Sequence, residues 1–423
     1  MAFNRRQFLK LTAAGLALPT LSACSSVASR QTHTGRVVVI GGGYAGSTAA
    51  KYLRMWSDHR IEVVVVEPNA HFISCPLSNL VLGGSRNIAD LTFDYDALST
   101  HHGIHWVRDE ATAIDTAARK VMLKRGELSY DRLIVAPGVD FIYDSLPMLA
   151  SPVAQQQIPH AWKAGPQTVN LRRQLEAMQD GDVFAISIPK MPFRCPPGPY
   201  ERACQVAFYF KQHKPRSKVL VLDANPDIVS KKPLFSKVWR ELYPDIIEYR
   251  PNSLAVEVDV ASRTVVTEFD TVKSDVLNLI PPQRAGKPAQ MAGAVNIDGR
   301  WCEVDFLSYE SKVVPNVHIL GDAVSAGLPK SAHMATAQAH VCANAIVALM
   351  RGDAPDPQPV FSNTCYSFVT DRLAIHVADL YRYDEQKQIM ARMEGGGISA
   401  EPSVAEGNNA HYWAHNIWSD ALT

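Results

Sequence analysis

Apolar residues along this chain fall into two patterns: short unbroken runs, and stretches in which they recur every three or four positions. Val37-Val38-Val39-Ile40 is a run of the first kind; it stops at Gly41-Gly42-Gly43, and Ala45, Ala49 and Leu53 then follow at helical spacing. An unbroken run marks a strand covered on both faces, and the wider spacing lays one face of a helix against it. Strand, tight turn and helix are predicted in that order. A second run over 61–66 ends in Glu67, 21 residues after Gly46. Gly41, Gly43 and Gly46 occupy the positions of a G-x-G-x-x-G turn, where a missing Cβ permits the turn, admits a pyrophosphate and packs helix on strand. The helix N-terminus points its free N–H groups at the phosphates, and an acid at the distance of Glu67 is placed to accept hydrogen bonds from an adenosine ribose.

The same grammar recurs. Residues 130–138 read as a strand closing on Ala136-Pro137-Gly138. A strand over 183–188, a helix over 200–213 with Ala203, Ala207 and Phe210 on one face, and a strand over 219–222 running into Asp223 form a second βαβ unit. Where that unit needs its glycine turn, residues 189–199 hold five prolines and one glycine. Proline fixes φ and removes a donor, so this loop is unsuited to cradling a pyrophosphate. The unit reads as a nicotinamide-dinucleotide domain that does not take its cofactor. The chain is then expected to return to the first sheet at 275–282, and a later strand ends in Gly321-Asp322. The predicted fold is α/β: a leader and linker over 1–34, a first Rossmann-like dinucleotide-binding domain from 35–150 and 275–357, a second over 151–274, and a small C-terminal domain over 358–423. The aromatic tail around Tyr412, Trp413 and Trp418 reads as packing or an interface.

Composition narrows the partners. Hydrophobic residues make up 47% of the chain, ample for a large core, and Lys+Arg equals Asp+Glu at 42 each, so nothing points to nucleic acid. The leader is more telling. Arg5-Arg6 precedes an apolar run over 11–23 that is too short to span a bilayer and suits a twin-arginine export signal, which implies a periplasmic protein exported already folded. Leu21-Ser22-Ala23-Cys24 matches a lipobox, in which Cys24 would carry a lipid and tether the protein to a membrane; ordinary cleavage nearby is the alternative. Six cysteines remain for a compartment that tolerates disulfides, and without a C-x-x-C-H the chain attaches no c-type haem of its own. Cys204, Cys302 and Cys342 read as small core residues, and neither they nor the histidines have metal-ligand spacing. Cys75 sits in a turn-rich loop leaving the ribose strand, and Cys195 lies just before a helix whose N-terminus favours its thiolate. From residues alone, Cys75 could equally be an inert buried thiol, and Cys195 and Cys365 a structural disulfide or two separate thiols. The turn Lys330-Ser331-Ala332-His333 either borders the site or is a surface loop.

The segments Ser74-Cys75-Pro76-Leu77-Ser78-Asn79, His160-Ala161-Trp162-Lys163-Ala164-Gly165, Phe193-Arg194-Cys195-Pro196-Pro197-Gly198-Pro199-Tyr200-Glu201-Arg202, Ile280-Pro281-Pro282-Gln283-Arg284-Ala285-Gly286 and Asn363-Thr364-Cys365-Tyr366-Ser367 together resemble the flavoprotein subunit of flavocytochrome c sulfide dehydrogenase, from about residue 36 to the C-terminus. The resemblance implies FAD, with Gly321 and Asp322 at the ribitol chain and Cys75 joined to the flavin as an 8α-S-cysteinyl thioether. It implies that Cys195 and Cys365 form a redox-active disulfide over the ring. Hydrosulfide would attack that disulfide, and the electrons would pass through flavin to a cytochrome c subunit on another chain. Sulfide:quinone oxidoreductase, and a flavoprotein that reactivates the thiols of a periplasmic sulfur-oxidising complex, are the alternatives; an NADH dehydrogenase is disfavoured by the proline-filled loop.

Overall fold

The computed structural model describes residues 34–423; the leader, with Arg5, Arg6 and Cys24, lies outside them. Five parallel strands build the first sheet, in the order Val317–Ile319, Arg132–Val135, Gly35–Ile40, Ile61–Val66, His105–Val107. Val37, Val38 and Val39, at its centre, are fully buried, each contributing about 1.5–3 kcal/mol of burial free energy. Helix Tyr44–Trp56 lies on this sheet, and Gly46 makes the close approach possible: a Cβ there would stand 1.9 Å from the Gly41 carbonyl oxygen. Gly41 itself has φ +102°, and its Cβ would meet the Ala136 carbonyl oxygen at 2.4 Å.

The second sheet is also parallel, ordered Ile247–Arg250, Lys218–Asp223, Val183–Ile188, Val276–Leu279. Its last strand corrects the expected domain boundary. The sequence reads 275–282 as a return to the first sheet, but Val276–Leu279 pairs with Val183–Ile188, so the chain leaves the second sheet only after Ile280. The reason is physical: any parallel strand buried on both faces reads as the same apolar run, and nothing in that run names its neighbour. The antiparallel ribbon of Val139–Phe141 with Gln283–Ala285 carries the return.

In the C-terminal region strand Val360–Phe368 pairs antiparallel with Ala374–Asp384, and helix Val404–Leu422 follows. The far end of the first strand is pinned to the second lobe. Gln205 Nε2 donates to the carbonyls of Phe368 (3.0 Å) and Thr370 (2.8 Å), and the Phe368 N–H donates to Glu201 at 2.8 Å. These bonds fix Cys365, in the same strand, against helix Gly198–His213. In the aromatic tail Trp418 is buried and donates to Ser74 Oγ at 2.9 Å, whereas Tyr412 is exposed.

Candidate active site

A cavity of about 670 Å³ is lined by Gly41, Gly43, Glu67, Cys75, Cys195, Gly321, Asp322 and Cys365 together. Gly46 stands behind the turn, where its role is packing.

At one end is the glycine turn. Gly43 caps helix Tyr44–Trp56 without a side-chain hydrogen bond, leaving the first-turn N–H groups uncapped, and open space surrounds its missing Cβ. A phosphate fits such a cradle. Glu67 accepts from the Gly42 N–H at 2.7 Å and from Asn69 N and Nδ2 at 2.8 and 2.6 Å. Three donors leave about one of a carboxylate's four acceptor sites free for a ribose hydroxyl.

Further along, Gly321 turns at φ +73° and donates its N–H to Gln338 Oε1 at 2.8 Å, which aims the Asp322 side chain at the cavity. That carboxylate takes no protein donor among the described residues, and burial raises its pKa. A carboxylate on the cavity wall that takes no protein donor suits a hydroxyl-bearing ligand. Lys330 secures the turn by donating Nζ to the carbonyls of Asp322 (2.8 Å) and Val324 (2.6 Å), and its own carbonyl accepts from Cys195 N at 2.8 Å. Ser331 and Ala332 of that same segment line the cavity.

Cys195 and Cys365, 170 positions apart in sequence, meet here as hydrogen-bonded thiols, both free in this structure. Cys195 holds a left-handed backbone (φ +56°) one turn before its helix; Gly198 leaves room for it, since a Cβ there would stand 3.0 Å from the Cys195 sulfur. Cys195 donates its S–H to Cys365, which pushes the Cys195 pKa well up and brings Cys365 down to about 7, with Lys231 assisting.

Several neighbours were not singled out from the sequence. Lys231 Nζ donates to the Cys365 carbonyl (3.0 Å) and to Ser367 Oγ (2.8 Å). It comes from a loop with no motif, and its φ of +54° is visible only in the fold. Arg202 is buried and donates to Asn79 Oδ1, Asn278 Oδ1 and the carbonyls of His160 and Ala161 at 2.7–3.1 Å, tying three segments together. Glu201 accepts from Asn79 Nδ2 at 2.8 Å. Arg194 and the Glu201-Arg202 pair lie inside the motif around Cys195, a signal that could have found them.

The end of the second βαβ unit is closed. Asp223, where a nicotinamide cofactor's ribose would be read, is fully buried and accepts from Tyr200 OH (2.7 Å), Tyr249 OH (3.1 Å), Asn225 N (2.9 Å) and Asn225 Nδ2 (2.7 Å). Four donors saturate the carboxylate. Cys204, Cys302 and Cys342 are buried, and burial raises all three. Among the described residues no cluster of three or more His, Cys, Asp or Glu could hold a metal.

Comparison with known proteins follows the same outline. The family model for the central part of the sulfide dehydrogenase (flavocytochrome c) flavoprotein chain matches residues 168–281, that for the flavin-binding part of flavocytochrome c sulphide dehydrogenase matches 357–422, and that for pyridine nucleotide-disulphide oxidoreductases matches 35–155. Over 48 residues the chain is 54% identical to the sulfide dehydrogenase flavoprotein chain of Chlorobaculum thiosulfatiphilum, covering 11% of this chain and 98% of that sequence. It is 24% identical over 318 residues to the mitochondrial sulfide:quinone oxidoreductase of Dictyostelium discoideum, covering 72% and 69% of the two chains. Among solved structures, the sulfide:quinone oxidoreductase of Aquifex aeolicus superimposes with a TM-score of 0.72 over 91% of each chain at 18% identity, a likeness of fold.

Proposed function

The chain belongs to the family of flavocytochrome c sulfide dehydrogenase flavoprotein chains, and from that premise we propose that it oxidises hydrosulfide through Cys195 and Cys365 and passes the electrons to a separate cytochrome c subunit in the periplasm. The observation that carries this reading is the meeting of two distant cysteines on the wall of the cavity that also holds a dinucleotide turn.

The residues fit FAD. The turn at Gly41–Gly43 would hold the pyrophosphate, Glu67 the adenosine ribose, Asp322 the ribitol chain, and Cys75 the 8α position. Bound there, FAD supplies a two-electron acceptor that can release electrons one at a time. The protein's part is thiol chemistry. With Cys195 and Cys365 joined, hydrosulfide attacks one sulfur, the S–S bond breaks, and the products are a persulfide on one cysteine and a thiolate on the other. A thiolate at Cys365 is tolerated in this buried setting because the Lys231 ammonium lies beside it. Lys231 and the bonds to Phe368 hold the Cys365 strand, and Lys330 holds the Cys195 backbone.

A quinone acceptor is the second reading, favoured by the long match to sulfide:quinone oxidoreductases. Purified protein given sulfide with cytochrome c, or with a soluble quinone, separates the two. Rapid cytochrome reduction with slow quinone reduction is expected; the reverse order overturns the cytochrome assignment.

A further inference from the structure

Cys75 sits at the apex of a turn that is stapled on both sides. Ahead of it the Ser74 N–H donates to the Leu91 carbonyl at 2.8 Å, and behind it the Ser78 N–H donates to the Cys75 carbonyl at 3.0 Å. Ser74 Oγ donates across the apex to the Pro76 carbonyl at 3.0 Å. Ser74 is fully buried, and its Oγ also meets Tyr44 OH at 2.7 Å and Trp418 Nε1 at 2.9 Å. An indole nitrogen only donates, which settles the proton directions: with its one hydrogen on the Pro76 carbonyl, Ser74 Oγ accepts from both rings, and the Tyr44 hydroxyl is the donor of its pair. Trp418 Nε1 stands 3.1 Å from Tyr44 OH as well, closing a triangle. Tyr44 opens the helix after the glycine turn and lines the cavity with Cys75, whereas Trp418 belongs to helix Val404–Leu422. Leu77, Leu80 and Leu91 share an apolar cluster with Trp418. In such surroundings one alanine and two phenylalanines would pack without burying polar groups; three directional bonds instead define a single position for the turn.

We propose that the triangle of Tyr44, Ser74 and Trp418 aims the Cys75 sulfur for covalent attachment of the flavin, with Trp418 as a positioning residue supplied by the C-terminal helix. The inference rests on the reading that Cys75 carries the cofactor. In the attachment step the S–H bond of Cys75 and one C–H bond of the 8α-methyl break and a C–S bond forms. Two electrons and two protons pass to the ring, and dioxygen takes them up as hydrogen peroxide. Trp418 acts through Ser74, holding the turn so that the sulfur stays at reacting distance. A reacting group displaced by about 1 Å loses about a hundredfold in rate, and a turn that loses one of several anchors loses about ten- to hundredfold. Because the donor comes from Trp418, the turn is complete only once the C-terminal helix has docked, so attachment follows folding of the whole chain.

The test follows acid-stable flavin on the full chain. Apoprotein from flavin-starved cells is mixed with saturating FAD under air, and the fluorescence that stays with the polypeptide after acid precipitation is timed, together with the mass of the peptide bearing Cys75. The wild type attaches flavin and Cys75→Ser does not. Trp418→Phe, which keeps an aromatic ring and loses the donor, and Ser74→Ala attach it about ten- to hundredfold more slowly. FAD affinity, measured in the Cys75→Ser background, is unchanged by Trp418→Phe. The double variant is no slower than Ser74→Ala alone, because both substitutions sever the same bond. Attachment by Trp418→Phe at the wild-type rate, or a double variant slowed by the product of the two single losses, overturns the triangle as the aiming device. A slow Trp418→Phe whose FAD affinity has fallen in proportion overturns it too, since general loosening then accounts for the loss. A wild-type protein with no adduct on Cys75 instead removes the covalent link itself.

Discussion

Replacing Cys195 by alanine isolates the hydrogen bond that sets the character of the cysteine pair. Its donation is the largest influence bringing Cys365 from an ordinary 9.0 to about 7. Without it, burial returns the thiol to about 9 or above, and at neutral pH the thiolate fraction falls from about one half to about one per cent, roughly fiftyfold. The less acidic thiolate is intrinsically more nucleophilic, by about six- to tenfold for a shift of about two units. The rate with an aromatic disulfide therefore drops only some five- to eightfold at neutral pH, and the midpoint of the pH–rate profile is the sharper observable. In a reduced Cys75→Ser background, where burial keeps Cys204, Cys302 and Cys342 silent, that midpoint should move from about 7 to about 9. Cys195→Ser, whose hydroxyl still donates, should stay close to the starting value. A midpoint unmoved in Cys195→Ala, or one that moves equally in Cys195→Ser, refutes the assignment of the hydrogen bond as cause.

Other perturbations probe the rest of the site. Lys231→Met removes a smaller contribution to the same thiolate, so the midpoint should rise by less than in Cys195→Ala; a larger rise would put the control at Lys231. Asp322→Asn removes a carboxylate whose pKa burial has raised, so its ionised form opposes folding above the ordinary carboxylate range. At neutral pH the variant apoprotein should melt no lower than the wild type while holding FAD about tenfold more weakly, and a lower melting temperature with unchanged affinity would contradict both statements. Gly46→Ala forces a Cβ to within 1.9 Å of a backbone oxygen, a clash that flexible side chains cannot relieve; a loss of about 3 kcal/mol should appear as a fall of several degrees in melting temperature, and an unchanged melt would show that the helix can shift.

Much of the first lobe is written locally. The valine run, the glycines and Glu67 lie within one βαβ unit, and each residue has a reason that depends only on near neighbours, so strand, turn and helix follow from the order of residue types. The second sheet shows where local reading stops: the run at 276–279 names a buried strand but not the sheet it joins, because a strand covered on both faces reads alike in either sheet. At the site, Cys195 and Cys365 were legible as motif residues, yet their approach depends on Gln205 and Glu201 gripping the end of strand Val360–Phe368. The influence of each sulfur on the other is equally hidden in the sequence, where the helix end after Cys195 is visible and the Cys365 sulfur beside it is not. Lys231 left no trace at all: its turn becomes meaningful only once the Cys365 carbonyl arrives to accept a hydrogen bond from its ammonium.

Anaerobic addition of hydrosulfide to the purified holoprotein, with the oxidised flavin spectrum recorded at each step, reaches the centre of the account most directly. The wild-type flavin should bleach with a stoichiometric amount of hydrosulfide, and Cys365→Ser, with its flavin bound as before, should stay oxidised. A wild-type flavin that does not bleach, or a Cys365→Ser flavin that bleaches as fast, would contradict sulfide oxidation through the Cys195 and Cys365 pair.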